Sequence, residues 1–117
     1  LRNMTTEMVV ERTESFIRYL RKYHPNTPIL LVEDSDFSMN LPSKRGIEYR
    51  HIYNKLRKEG DRQLYYLEGK NLLGNDGEGT VDGVHPNDIG FMRQAIEFQK
   101  AFKLMTNHVE KYKRIFE

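Results

Sequence analysis

The longest aliphatic run in the chain is Ile29-Leu30-Leu31-Val32, set between Thr27-Pro28 and Glu33-Asp34. A continuous apolar run this short, bounded by polar residues and following a helical pattern, reads as a buried parallel strand. It is much too short to span a membrane. Before it, Val9, Thr13, Phe16, Ile17 and Leu20 recur at helical spacing, with Glu11, Arg12, Arg18, Arg21 and Lys22 on the opposite face. That is an amphipathic helix capped by Thr5 or Thr6 and stopped by Pro25. After the run, Asp34 to Ser43 reads as a loop. A second helix follows over about 44–59, where Tyr49, Ile52, Tyr53 and Leu56 share one face and Gly60 ends it. Arg62-Gln63-Leu64-Tyr65-Tyr66-Leu67 suits a second strand. Glu68 to Glu78 is a polar, glycine-bearing loop.

The order helix, strand, helix, strand, loop, helix predicts an α/β layer with parallel strands. Two strands alone leave both sheet edges and much apolar surface open. The expectation is therefore that residues 1–104 are the C-terminal half of a larger domain, or that they pair with another chain. The opening Leu1-Arg2-Asn3, without an initiator Met, fits the first version. Residues 105–117 read as a helical or frayed tail carrying Val109, Tyr112, Ile115 and Phe116. A formal charge of +2 is too small to argue for nucleic-acid binding. The chain has no cysteine, which excludes disulfides, thiolate catalysis and Cys-ligated zinc and leaves the compartment open.

The stretch from Gly79 to Gly90, GTVDGVHPNDIG, is a loop that turns into a helix. Pro86 is tolerated where a helix begins, Asn87 is a good N-cap, and Asp88 places a negative charge at the positive end of the helix dipole. The inward face of this last helix is expected to carry Ile89, Met92, Ala95, Ile96 and Phe102. Just before the helix sit Asp82 and His85. An imidazole beside a carboxylate is the usual construction of a general base: the carboxylate fixes the tautomer and stabilises the imidazolium. The plainer reading of the bare pair is a capped turn with a surface histidine.

The residues around the pair carry a resemblance. D-G-V-H-P-N-D-I-G-F (82–91) resembles the last block of the SGNH (GDSL-type) serine hydrolases. Asn3-Met4-Thr5 and T-P-I-L-L-V-E (27–33) precede it in the order of one subgroup of that family. The resemblance implies a three-layer α/β/α, flavodoxin-like fold around a parallel sheet. It also implies hydrolysis of small acyl esters, acetylated sugars among them, with no cofactor and no metal. It gives His85 the role of general base and Asp82 that of its orienting acid, and it matches Asn3 to an oxyanion-binding amide. The usual Gly-x-Asn-Asp context is absent at Asn3, where Met4 follows. The family's nucleophile lies in a Gly-Asp-Ser block near its N-terminus. Ser15, Ser35, Ser38 and Ser43 are the only serines here, and none has that context. The serine is thus expected upstream, with the 117-residue chain inactive alone. Expected partners are the ester substrate and either the upstream half of the domain or a second copy, with no nucleic acid and no membrane span.

Two rivals come from other classes. One is a non-catalytic module that kept the fold and binds a carbohydrate or a protein. The other is a calcium-binding loop protein centred on Asp76, Glu78 and Asp82, although the Asn75–Thr80 loop lacks a full calcium-binding pattern. Glu33 and Asp34 are adjacent in the chain, so a shared glycosidase role is not expected of them. His24 and His51 lie in polar surroundings and read as solvated.

Overall fold

A computed structural model of the chain describes residues 1–36 and 40–116, with side chains as far as Asn107. The first helix, α1, runs Thr6–Tyr23. Its cap is Thr5, whose hydroxyl accepts the Met8 N–H at 3.2 Å. Glu7 in the first turn and Arg21 and Lys22 in the last complement the helix dipole. The strand β1 covers Ile29–Val32. The second helix, α2, covers Lys44–Lys58, and the strand β2 covers Leu64–Leu67. A short 3-10 turn at Gly69–Asn71 follows, and the last helix, α3, runs Asp88–Phe116 without a break.

The strands are parallel, with Ile29 opposite Leu64 and Val32 opposite Leu67. Side chains alternate across a sheet, so each face takes every second residue. On one face Leu31 and Leu64 join Ile17 of α1 and Ile52 and Leu56 of α2 in the core, with Ile29, Tyr49, Tyr53 and Tyr66 packed around them. The α2 stripe read from the sequence is therefore the stripe that packs. Each fully buried aliphatic side chain here contributes roughly 1.5–3 kcal/mol. Arg21 ties the end of α1 to the entry of β2 through a two-pronged ion pair with Asp61, at 2.7 and 3.1 Å. Leu30, Val32, Tyr65 and Leu67 belong to the other face and are only half-buried. α3 packs against β2 and the 3-10 turn.

Two expectations about faces are corrected. Phe16 was placed inward and is 61% exposed, because α1 rests on Val9, Thr13 and Ile17 and turns Phe16 aside. On α3, Ile89, Met92, Ala95, Ile96 and Phe102 are all exposed. The face turned inward carries Gly90, Arg93, Gln94, Glu97 and Phe98. The rotation is set at the first turn. Gly90 lies so close to the loop before the helix that a Cβ there would stand 2.0 Å from the Gly79 carbonyl oxygen. A helix pinned by that contact cannot roll its aliphatic stripe onto the strands.

Leu64, 1% exposed at the centre of the core, sets a direct check. Leu64→Ala is expected to lower unfolding stability by about 2–5 kcal/mol, while the exposed Phe16→Ala shifts it by less than about 1 kcal/mol. Urea titration of the two variants measures both.

Candidate active site

Parallel strands send their carboxyl ends to one edge, and in open α/β sheets that edge is where ligands bind. Glu33 and Asp34 leave β1 there, and each has a separate job. The Glu33 side chain is 1% exposed and is gripped by the Arg50 guanidinium. It accepts the Tyr66 hydroxyl at 2.5 Å and the Gly69 amide at 2.9 Å. Burial alone pushes its carboxyl up, but the Arg50, Gly69 and Tyr66 donors outweigh that and hold it below the usual range. Burial and the same carboxylate push the Tyr66 hydroxyl up, which keeps it a donor. Asp34 accepts the Ser43 hydroxyl at 2.9 Å and Arg45 Nη2 at 3.0 Å. Ser43 also caps α2 by accepting the Gly46 N–H at 3.0 Å. These two carboxylates are spent on holding the edge together.

The turn carrying Asn3 is held to this edge. Arg2 pairs with Asp36, and Arg45 Nη1 reaches the carbonyls of Arg2 and Met4, both at 3.3 Å, on either side of Asn3. Asn3 is exposed, and its side-chain amide makes no hydrogen bond among the described residues. Nearby, a cavity of about 220 Å³ is lined by Ser35, Asp36, Leu41, Gly69, Lys70 and Leu73–Asn75.

Beyond this loop the chain forms a small closed hairpin. Thr80 pairs with Pro86, Val81 N–H donates to the His85 carbonyl at 2.9 Å, and Asn87 N–H donates to the Gly79 carbonyl at 3.1 Å. Asn87 then caps α3, its side-chain oxygen accepting the Gly90 N–H at 3.0 Å. Inside the hairpin, Asp82 Oδ1 accepts the amides of Val84 and His85 at 3.0 and 2.8 Å. Asp82 Oδ2 lies 2.7 Å from His85 Nδ1. The amide of His85, its imidazole and the amide of Val84 together draw the Asp82 carboxyl down to about 2. An ionised carboxylate only accepts, so Nδ1 donates to it, and in the neutral ring Nε2 is the nitrogen with the free lone pair. Both side chains are exposed, and Nε2 has no partner among the described residues. The arrangement can take a proton from a group brought up to Nε2.

The structure thus joins Asp82 to His85 and gives no hydrogen bond between that pair and Asn3. Ser15 is bonded to its own helix, to the carbonyls of Arg12 and Glu11. Ser43 is buried in the α2 cap. Ser35 lines the cavity, and Ser38 lies outside the described residues. No described serine is hydrogen-bonded to His85. The calcium reading meets a direct obstacle: Asp76 is held by Arg93 through two bonds of 2.7 Å. Among the described residues no three acidic or imidazole groups converge. His24 and His51 are exposed, as expected. Arg93 and Arg45 went unread because each works through partners distant in sequence. The one local hint for Arg93 is its place three residues past Gly90.

The sequence profile of the GDSL-like lipase/acylhydrolase family matches residues 1–103. A crystal structure of a GDSL-like lipase from Bacteroides ovatus is similar at 30% identity and a TM-score of 0.80, covering 90% of this chain and 34% of its own. A salicylyl-acyltransferase from a tetracycline biosynthetic pathway is similar in fold, at 22% identity and a TM-score of 0.67, covering 86% of this chain and 32% of its own. The chain thus spans about a third of the length of these solved structures. No curated protein matches.

The depressed Asp82 carboxyl fixes the sign of a pH effect. Its contribution to the hairpin is present above its ordinary value of 3.8 and is lost as pH falls through about 2. The carboxyl carbon of Asp82 is expected to titrate by NMR with a midpoint near 2. A midpoint at 3.8 would mean that the carboxylate is not bound within the hairpin.

Proposed function

The chain belongs to the GDSL-like lipase/acylhydrolase family, and on that premise we propose that Asp82 and His85 are the acid and base of a serine esterase triad. The observation that carries this is the imidazole held through Nδ1 at 2.7 Å from Asp82, with Nε2 open to solvent. The nucleophile in this reading is a serine from outside residues 1–117. Ser15 and Ser43 are committed elsewhere, Ser35 is not hydrogen-bonded to His85, and Ser38 lies outside the described residues. That serine belongs to the remainder of a larger α/β domain, of which residues 1–104 are the C-terminal part.

The serine hydroxyl attacks an acyl carbonyl while His85 Nε2 takes its proton, and the Asp82 carboxylate stabilises the imidazolium. The Asn3 amide, uncommitted at the same sheet edge, supplies a donor to the developing oxyanion. Such a donor lowers the barrier by roughly 3–4 kcal/mol in well-studied hydrolases. His85 returns the proton to the leaving alcohol, and water, activated the same way, releases the acid. Small acyl esters, acetylated sugars among them, are the substrate class.

The test is fluorophosphonate labelling of the catalytically complete protein, followed by peptide mapping. An adduct on a serine outside residues 1–117 is expected, with the rate down by about 10⁴-fold in Asp82→Asn and about 10⁶-fold in His85→Ala. An adduct on Ser35, Ser38 or Ser43 would move the nucleophile into this chain. Labelling that survives His85→Ala would remove His85 from the mechanism.

A further inference from the structure

The hairpin closes the Asp82–His85 pair within itself, so something else must decide where that pair stands relative to the sheet edge. Arg93 is placed to do it. It projects from the inward face of α3, just past the first turn. Nη1 donates to the Leu73 carbonyl at 2.9 Å and to Asp76 Oδ1 at 2.7 Å, and Nη2 donates to Asp76 Oδ2 at 2.7 Å. Leu73 is 3% exposed, so one end of the contact is anchored in the protein interior.

The loop is shaped around this guanidinium. Gly74 has φ +79°, and a Cβ there would lie 2.2 Å from Arg93 Nη1. Any other residue would be strained and would also displace the guanidinium. At the far end of the loop, a Cβ on Gly79 would lie 3.4 Å from the same nitrogen. The carbonyl of Gly79 is the acceptor for Asn87 N–H, at the base of the hairpin. The guanidinium therefore binds the start of segment 73–79 and lies beside Gly79 at its end, from which the hairpin springs.

We propose that Arg93 is the positioning residue of this site: it sets the placement of the Asp82–His85 hairpin without touching the reacting atoms. The inference rests on the esterase reading for its catalytic consequence and on the contacts alone for its structural one. The Asp76 carboxylate is half-exposed, and such a pair contributes little to global stability. Its effect is on geometry, where a displacement of about 1 Å can cost about 100-fold in rate. Lysine cannot take over, because a single ammonium does not reproduce a fork that bonds two acceptors in fixed directions.

Arg93→Met and Arg93→Lys in the catalytically complete protein separate the two layers. With p-nitrophenyl acetate, kcat is expected to fall about 100-fold in Arg93→Met with KM within about a factor of two, and Arg93→Lys is expected to restore only part of it. Hydrogen exchange at the Asn87 amide is expected to rise at least about tenfold, while the Nδ1–H tautomer of His85, read by ¹⁵N NMR, stays as in the wild type. Unchanged Asn87 exchange overturns the positioning role whatever the activity. Faster exchange in a protein whose wild type hydrolyses no ester upholds the positioning and removes the esterase reading. A tautomer change would mean that Arg93 acts on the pair itself, which also overturns the proposal. Should Arg93→Met fail to fold, Asp76→Asn, which spares the Leu73 bond, carries the same comparison with a smaller fall in kcat, and an unchanged kcat and exchange rate there count against it.

Discussion

The buried carboxylate of Glu33 holds together the carboxyl end of the sheet. Removing an ionised carboxylate from water costs several kcal/mol unless its lone pairs are met. Here they are met by Arg50 from α2, by Tyr66 from β2 and by the amide of Gly69 in the turn that follows. The compensation works only if β1, α2, β2 and the 3-10 turn are all in place. A hydrophobic contact tolerates sliding, but this network does not, so it fixes the register of the sheet edge as well as its existence. Asp34 with Ser43 and Arg45 repeats the device one residue on and extends it to the turn bearing Asn3.

The site built on this edge is asymmetric. Its base is a hairpin whose bonds are nearly all local, whereas the turn that carries Asn3 is held by residues far away in sequence. The Asp82–His85 pair is exposed, which leaves Nε2 approachable. The exposed Ile89, Met92 and Ile96 on α3 and Phe16 on α1 leave apolar surface on both helices in a chain that spans about a third of its solved relatives.

What the sequence made legible follows the range of the interactions. Helix starts and stops were readable, since Thr5 and Asn87 act within a few residues of themselves. The parallel strands were readable from the apolar run and the alternation of elements. The Asp82–His85 contact was readable because the two stand three positions apart and a helix start fixes the turn. The rotation of α3 was not. Ile89, Met92 and Ile96 form an aliphatic stripe, and only the steric demand at Gly90 shows that the other face packs. The role of Glu33 was equally hidden, because its partners lie on three later elements. Periodicity reports what a segment can bury, and it does not report what neighbour it will meet.

The hairpin has a consequence for the order in which the molecule assembles. Every bond that fixes Asp82 to His85 closes over a few residues, so that turn can form on the microsecond timescale of local structure. The edge beneath it depends on pairing Ile29 with Leu64, which must wait for closure of the long segment holding α2. A nascent or partly unfolded chain can therefore carry the Asp82–His85 contact before the sheet edge has formed.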